Sequence, residues 1–284
     1  MHYKTLSGKE PAEEVLKEVR AEVAALGRSP MLAIIVVGDY KPSQIYVSSK
    51  IKKAESVGIK TEAHRLPHNV EEVELLALIE RLNNDKEVDG FIIQTPLPNY
   101  IHTQKVMEAV NPAKDVDGYH PINLGKVLAG QLDGKMFPPA TPFGVMRMLE
   151  HYSVQLEGKN AVVIGRSNVV GKPMAMLLLN KNATVTVCHS KTRNLSEHTL
   201  KADIVIAAAG APGLLKADMV KEGAYIVDVG TSRIMVNGVE KVVGDVDFEN
   251  VIKKANCSPV PGGVGPLTVA MLLRNTVKAA MNRK

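Results

Sequence analysis

Tyr46 and Lys50 are the first residues along the chain whose types and spacing could support catalysis. They lie in an amphipathic segment that follows the apolar run 31–37. A spacing of four residues places the phenol and the ammonium on one face of a helix. If that face lines a pocket, desolvation lowers the pKa of Lys50 and lets it donate or accept a proton. The alternative is an ordinary surface helix with a solvated lysine.

Two further polar segments could complete a site around Lys50. Gln94 ends the apolar run 88–94, and α/β sheets bind ligands at the carboxyl ends of their strands. Its neutral amide could orient the lysine without holding it as a fixed cation. The sequence KDVDG at 114–118 carries carboxylates that could bind an N–C–N edge of a substrate through two parallel hydrogen bonds. An acidic surface turn is the alternative.

A glycine-containing loop, GRSNVVGKP at 165–173, follows another apolar run. Gly165 permits a tight turn at the strand end, and Gly171 lets a pyrophosphate approach the start of the next helix, whose N–H groups favour phosphate. Ser167 stands where the dinucleotide fingerprint has its middle glycine, so a plain strand–helix turn remains the alternative.

The end of the next predicted strand indicates which dinucleotide would bind. NAD sites commonly carry Asp or Glu there, about 20 residues after the glycine loop, whereas residues 189–193 contain no acid. Hydroxyl and cationic side chains attract a 2′-phosphate; those available are Ser190, Lys191, Arg193 and the upstream Arg166. We therefore expect NADP rather than NAD, with a solvated basic loop as the alternative.

Apolar runs rich in β-branched residues alternate with amphipathic segments along nearly the whole chain, which predicts parallel strands with crossover helices. Strands are predicted at 31–37, 59–65, 88–94, 161–165, 183–188, 204–208 and 224–229. Helices are predicted at 43–57 with Ser43 as N-cap, at 70–83, from 103, from Pro142 with Thr141 as N-cap, and at 267–281. Asn237 and Gly238 suit a tight hairpin turn, because both tolerate positive φ.

Prolines and glycines interrupt this pattern between residues 115 and 140, and we place a domain boundary there. Residues 1–139 with 267–284 are predicted to form one domain, and residues 140–266 the other. Near the second boundary, PVPGGVGPLT at 259–268 is dense in both residue types. Its glycines would let the backbone approach a flat ligand, and its prolines would stiffen the loop.

Composition narrows the class of protein. The chain has 284 residues, 45% hydrophobic and 23% charged, which is typical of a soluble globular protein. The net charge of +5 is spread along the chain and aromatic residues make up only 4%, which disfavours a nucleic-acid-binding module. No apolar run approaches the roughly 20 residues of a membrane span. Cys188 and Cys257 fit no metal-ligand pattern, so we expect no metal site, and we expect reduced thiols in a cytoplasmic protein.

Nine segments, in order, carry a resemblance to a known family. They are YVSSK, QxPLP, KDVDG, TPxG, GRSNVVGKP, HSxT, DVG, GDVDF and PVPGGVGP. Together they span nearly the whole chain and resemble the bifunctional methylenetetrahydrofolate dehydrogenase/cyclohydrolase family, usually called FolD. The resemblance implies an enzyme of one-carbon metabolism that oxidises 5,10-methylenetetrahydrofolate with NADP and hydrolyses the methenyl product to 10-formyltetrahydrofolate. It also implies a two-domain α/β fold: an N-terminal folate-binding catalytic domain, a Rossmann-type NADP-binding domain, and a C-terminal helix that packs back on the first domain.

The resemblance further implies roles for individual residues. Lys50 would handle protons, Gln94 would position Lys50, Tyr46 would pack on the folate, and Asp117 would anchor the pterin ring. The substrate would also be bordered by Pro261, Gly262, Gly263 and Pro266. The NADP set would be Gly165, Arg166, Ser167, Val170, Gly171, Ser190, Arg193, Ala209, Gly230 and Thr231.

Three departures from the family pattern accompany the resemblance. Thr95 and Ala140 replace an aliphatic residue and a cysteine, and Thr231-Ser232 replaces Ile-Asn near the expected cofactor site. Tetrahydrofolate derivatives are the expected partners, with a homodimer formed through a sheet edge of the cofactor domain, and no nucleic acid or membrane. Two rival functions stay open: a dehydrogenase without cyclohydrolase activity, and an NADP-binding sensor with an inactive folate site.

Overall fold

The computed structural model describes residues 3–132, 134, 136–236 and 238–283. The chain divides into two compact units. We call Glu14–Ala140 with Val269–Lys284 the three-stranded unit, and Met1–Glu13 with Thr141–Thr268 the five-stranded unit, after their parallel sheets.

The three-stranded unit is built on a parallel sheet of order β2-β1-β3. Its strands are β1 (Met31–Val37), β2 (Lys60–Leu66) and β3 (Gly90–Ile93). The helices are the larger part of α1 (Lys9–Leu26), then α2 (Lys41–Glu55), α3 (Glu72–Asn84), α4 (Thr103–Glu108) and α5 (Pro121–Leu128), and α10 (Val264–Asn282) from Val269 onward. Strand β3 is apolar and buried throughout, and β1 is apolar and buried except for the partly buried Met31, as expected for a parallel sheet with both faces covered.

The five-stranded unit contains a parallel sheet of order β10-β7-β6-β4-β5 and an antiparallel hairpin, β8-β9. The strands are β4 (Asn160–Ile164), β5 (Thr184–Cys188), β6 (Ile204–Ala207), β7 (Tyr225–Asp228), β8 (Ser232–Val236), β9 (Val239–Val243) and β10 (Asn256–Cys257). The helices are α6 (Ala140–His151), α7 (Gly171–Leu179), α8 (Leu195–Thr199) and α9 (Phe248–Val251), with a 3-10 turn at Ala217–Met219. Neighbouring strands reached through helices are the hallmark of a Rossmann-type sheet.

The seven predicted strands are confirmed to within two residues at each end. Several helix boundaries differ. Helix α2 begins at Lys41 rather than Ser43, with proline in its first turn, where no backbone donor is needed. For the same reason α10 begins at Val264, so Pro266 lies inside the helix instead of in a loop. Helix α6 begins at Ala140, two residues before the predicted first helical residue Pro142.

Two helices, α1 and α5, are additions to the predicted elements. Val15, Leu16 and Val19 of α1 are buried, and their helical spacing is the signal that identifies it. In the hairpin, Val236 pairs with Val239; the predicted turn residue Asn237 lies outside the described residues.

The first residues of the chain join the five-stranded sheet. Leu6 N donates to Cys257 O at 2.9 Å, Cys257 N donates to Lys4 O at 3.1 Å, and Thr5 forms a parallel bridge with Cys257. Residues 3–13 therefore cluster with the unit that holds β10, whereas they fall in the first domain of the prediction, 1–139 with 267–284.

The C-terminal helix packs on the first domain, as the resemblance implies. Asn275 is buried, and its Nδ2 donates to Val116 O at 2.9 Å and Pro138 O at 3.0 Å. Lys278 pairs with Glu22 of α1 at 2.9 Å. None of the described helices is long and apolar enough to cross a membrane.

Candidate functional site

Lys50 and Gln94 lie together in the three-stranded unit. Lys50 Nζ donates to Gln94 Oε1 at 3.1 Å. Gln94 directly follows β3, and its Nε2 donates to the carbonyl oxygen of Thr95 at 2.7 Å. This second bond fixes the amide so that its oxygen faces the lysine. Thr95 contributes only its backbone carbonyl to this bond. The replacement of the usual aliphatic residue by Thr95 therefore leaves the bond to Gln94 intact.

The electrostatic environment of Lys50 suits proton transfer. Burial lowers the pKa of the Lys50 ammonium, and the negative charge of Asp117 opposes part of that effect. A lysine with a lowered pKa exchanges a proton near neutral pH more readily than a solvated one. Tyr46, one helical turn earlier in α2, leaves 45% of its surface exposed.

The two acids of the KDVDG loop differ in their hydrogen bonds. Asp115 is buried and accepts hydrogen bonds from the backbone N–H groups of Gly118 at 3.1 Å and His120 at 2.8 Å, and from Asn123 Nδ2 at 2.9 Å. These bonds shape the loop and the start of α5. Asp117 has no hydrogen bond to its side chain among the described residues, so its carboxylate is free to bind a ligand.

Burial raises the pKa of Asp117 to about 6, the positive charge of Lys50 lowers it, and the nearby charge of Asp115 raises it. Tyr119 belongs to the same cluster, since burial and the charges of Asp117 and Asp115 raise its pKa well above the usual value. Tyr119 is absent from the predicted site, and its place beside the two acids of KDVDG is the signal that finds it. The charge of Asp117 thus affects the pKa values of both Lys50 and Tyr119.

The predicted cofactor loop at the end of β4 is shaped by two glycines. A Cβ on Gly165, whose φ is +133°, would lie 2.1 Å from Ala208 O, and a Cβ on Gly171 would lie 2.3 Å from Gly165 O. Neither position can hold a side chain. The backbone of this turn is therefore compact enough for the close approach that a pyrophosphate requires.

Ser167 organises this turn rather than replacing a glycine. Its Oγ accepts from the N–H groups of Val170 at 3.1 Å and Gly171 at 3.3 Å. The N–H of Gly171, the first residue of α7, is therefore occupied by a serine hydroxyl rather than left for a phosphate. The backbone N–H groups of Arg166 and Asn168 have no hydrogen-bond partner among the described residues and remain available to an anion.

Arg166 and Ser190 lie at one edge of the sheet. Strands β4 and β5 are parallel with Ile164 opposite Cys188, so each of the two residues follows its strand end by two positions. The turn after β5 is closed by Lys191 N donating to His189 Nδ1 at 3.1 Å. Ser190, Lys191 and Arg193 are exposed there, and no acid stands among them.

Ala209, Gly230 and Thr231 follow the neighbouring strands β6 and β7. The N–H of Ala209 donates to Asp245 at 2.6 Å, and that of Gly230 donates to Asp228 at 2.9 Å. These two buried aspartates are absent from the predicted site. The signal that could have found them is the glycine beside an acid in the DVG and GDVDF segments.

The PVPGGVGP segment lies in the five-stranded unit, whereas Lys50 and its neighbours lie in the three-stranded unit. Gly262 has φ +103°, and its carbonyl oxygen accepts from Gly8 N at 2.9 Å. A Cβ on Gly263 would lie 2.5 Å from Pro259 O. Pro261 is exposed, and Pro266 lies in the first turn of α10.

Comparison with known proteins identifies the family to which the chain belongs. Residues 6–117 match the family model of the tetrahydrofolate dehydrogenase/cyclohydrolase catalytic domain, and residues 139–284 match that family's NAD(P)-binding domain. The chain belongs to the tetrahydrofolate dehydrogenase/cyclohydrolase family. The predicted family, the two-domain α/β fold and the bifunctional dehydrogenase/cyclohydrolase class of enzyme are thus confirmed.

Individual relatives agree along the full length. The bifunctional protein FolD of Sulfurihydrogenibium sp. is 52% identical over 279 residues, covering 96% of each chain. The crystal structure of the Campylobacter jejuni bifunctional enzyme FolD has a TM-score of 0.94 at 50% identity and covers 99% of each chain. The Trypanosoma brucei FolD structure, complexed with NADP cofactor and inhibitor, also has a TM-score of 0.94, at 37% identity, covering 100% of this chain and 99% of that one. NADP is the family cofactor supported here.

Proposed function

We propose that Lys50 is the proton-handling residue of the cyclohydrolase step. The 3.1 Å bond to Gln94 and the burial that lowers its pKa support this role. As the oxygen of water bonds to the methenyl carbon, one proton of the water passes to Lys50 Nζ. The added hydroxyl then gives its proton to N5 as the bond from that carbon to N5 breaks, which leaves N5 as an amine and the carbon as a formyl group on N10. Proton transfer of this kind typically contributes about 10²- to 10⁴-fold in rate.

Gln94 is the positioning residue for this lysine. Its amide is anchored through Thr95 O and presents a neutral oxygen to Nζ. A carboxylate in the same place would hold Lys50 as a cation and raise its pKa. The neutral acceptor keeps the lysine able to take up a proton.

Asp117 is the residue that binds the pterin ring. It is free of side-chain hydrogen bonds among the described residues, and Asp115 fixes the loop that carries it. A carboxylate can accept two parallel bonds from the N–C–N edge of a pterin, a geometry that also fixes ring orientation. Tyr46, one helical turn before Lys50, has an exposed aromatic ring and is the residue that packs on the folate.

Two features of the five-stranded unit support NADP binding, the glycine turn after β4 and the polar side chains at the ends of β4 and β5. The compact turn at Gly165 and Gly171 has no room for side chains, and the cationic and hydroxyl groups at the ends of β4 and β5 suit a 2′-phosphate. Arg166 and Ser190 would hold that phosphate. Bound NADP supplies the hydride acceptor for oxidation of the methylene group. The protein's contribution to that step is positioning.

We also propose that the protein is a cytoplasmic homodimer. Strand β5 is an edge of the five-stranded sheet, and Val187 on it is 38% exposed. An unpaired edge with an exposed apolar residue favours pairing with a second copy. Both cysteines are buried and unpaired, which suits a reducing compartment.

The test follows absorbance after mixing the protein with 5,10-methylenetetrahydrofolate and NADP, with NAD in parallel. Formation of NADPH, faster decay of added methenyltetrahydrofolate and a preference for NADP are the expected results. Formation of NADPH without faster methenyl decay would establish the dehydrogenase-only alternative. NADP binding without turnover would establish the sensor.

A further inference from the structure

Asp245 lies beneath the loop that follows β6. It is fully buried, and its carboxylate accepts three consecutive backbone N–H groups. Oδ2 accepts from Ala209 at 2.6 Å and Gly210 at 3.0 Å, and Oδ1 accepts from Ala211 at 2.8 Å. Because a neutral amide has one acceptor oxygen, only a carboxylate satisfies all three donors at once. Asp245 therefore fixes the conformation of residues 209–211, which we call the β6 loop.

A second buried acid holds Asp245 in place. Asp228, at the end of β7, accepts from the N–H groups of Gly230 at 2.9 Å and Asp245 at 3.0 Å through Oδ1, and from Val246 at 2.9 Å through Oδ2. The N–H of Asp228 donates to Ser258 Oγ at 2.8 Å. The ends of β6, β7 and β10 are thus tied together through two carboxylates and one hydroxyl.

Two glycines make room for this pair. A Cβ on Gly230 would lie 2.3 Å from the carboxyl carbon of Asp245, and a Cβ on Gly244 would lie 1.9 Å from Asp228 Oδ2. The DVG and GDVDF segments are therefore complementary, since the glycine of each accommodates the aspartate of the other. This packing leaves Asp245 little freedom to move.

The β6 loop begins beside the glycine turn of the proposed cofactor site. Ala208 N donates to Ile164 O at 2.8 Å, and Ala208 O occupies the space where Gly165 would carry a Cβ. Ala209 and Gly210 are exposed on the outer side of the loop, while their N–H groups point inward to Asp245. The loop thus offers a rigid, small-residue surface at the carboxyl edge of the sheet, where α/β folds bind ligands.

We propose that Asp245, held by Asp228, is a positioning residue for the dinucleotide. It fixes the β6 loop against the cofactor without touching the cofactor itself. The inference rests on the proposed NADP site. Since the β6 loop is distinct from the cationic groups assigned to the 2′-phosphate, loss of Asp245 weakens NADP and NAD equally, whereas loss of Arg166 weakens NADP selectively.

The experiment compares Asp245→Ala and Asp245→Asn with the control Asp203→Ala. Asp203 lies in the same unit at the opposite end of β6, and it accepts from Asn160 N at 3.0 Å and Lys221 Nζ at 2.6 Å. The control thus also removes a carboxylate with a backbone bond. Dissociation constants for NADP and NAD would be measured by calorimetry, together with the cyclohydrolase rate and the melting temperature.

We expect Asp245→Ala to weaken both dinucleotides by about tenfold to a hundredfold, the loss that misplacement of a binding surface can cause. Asp245→Asn keeps an acceptor for Ala209 and Gly210 but presents an amide N–H to Ala211, so its loss should be intermediate. The cyclohydrolase rate should stay at the wild-type level in both variants, because Lys50 lies in the other unit. The Asp203→Ala protein should be less stable and bind both dinucleotides normally.

Affinities within about twofold of wild type, or about 0.4 kcal/mol, in Asp245→Ala would overturn the inference. Equal losses in Asp203→Ala would also overturn it, by showing general destabilisation of the unit. If Asp245→Ala does not fold, Asp245→Asn decides by the same criteria. Failure of wild type to bind NADP would instead refute the proposed function, whereas normal binding with a selective Arg166→Ala effect and an inert Asp245 refutes this inference alone.

Discussion

Replacement of Asp117 by asparagine should separate stability from function in the KDVDG loop. Burial raises the pKa of the Asp117 carboxyl from 3.8 to about 6, even though the Lys50 ammonium acts in the opposite direction. The ionised form that the proposed function requires is thus disfavoured by the fold. Asparagine has the same shape and no charge, so it resembles the protonated form.

Proton linkage gives the sign and the size of the effect of Asp117 on the free energy of unfolding. Because the folded pKa lies above the unfolded pKa, the folded protein binds this proton more tightly. The stability that the proton confers is complete below about pH 4 and is lost as the pH rises to about 6. At about 1.4 kcal/mol per pKa unit, ionised Asp117 costs roughly 3 kcal/mol at pH 7. Asp117→Asn should recover a cost of that order.

The assay is thermal unfolding of wild type and Asp117→Asn between pH 4 and pH 8. The variant should melt several degrees higher at pH 7, and the difference should shrink toward pH 4. The same variant should raise the KM for 5,10-methylenetetrahydrofolate by about tenfold to a hundredfold, because it loses charged hydrogen bonds of about 1.5–3 kcal/mol to the pterin.

A matched control is available two residues away. Burial also raises the pKa of the Asp115 carboxyl, but both of its oxygens accept hydrogen bonds, Oδ1 from Gly118 and Oδ2 from His120 and Asn123. An amide would turn an N–H toward one set of these donors, so Asp115→Asn should be destabilising, in the opposite direction to Asp117→Asn. A melting temperature for Asp117→Asn that equals or falls below that of wild type at pH 7 would refute the reasoning. So would a difference that stays constant across the pH range.

Three further predictions concern single residues. Lys50→Met should reduce the cyclohydrolase rate by about 10²- to 10⁴-fold while calorimetry shows unchanged NADP affinity; loss of NADP binding would contradict the assignment of the two units. Arg166→Ala should weaken NADP far more than NAD in the same titration, and equal effects would remove the 2′-phosphate role. Asn275→Asp should unfold at lower temperature than Asn275→Leu, because a carboxylate would face the carbonyls of Val116 and Pro138; the reverse order of melting temperatures would contradict this repulsion.

Most of the strand framework follows from the sequence, because its signals are local. Continuous β-branched runs such as 31–37 identify buried strands wherever they occur, and the order of motifs along the chain identifies the family. The same is true of Lys50, Gln94 and Asp117 as candidates, since each stands at a recognisable position in a motif. Gly165 and Gly171 are likewise recognisable from the sequence. The sequence does not show which atoms a Cβ at either position would meet.

The contacts that support these residues are decided by tertiary structure, because they join segments far apart in the chain. Asn275 bonds to Val116 across 159 residues, and Asp245 holds a loop about 35 residues upstream. The sequence likewise presents both acids of KDVDG as equal. In the folded protein Asp115 accepts backbone hydrogen bonds, whereas Asp117 lies near Lys50 without them. The two carboxylates differ only in the folded state, because their hydrogen bonds and burial come from residues that the fold brings to them.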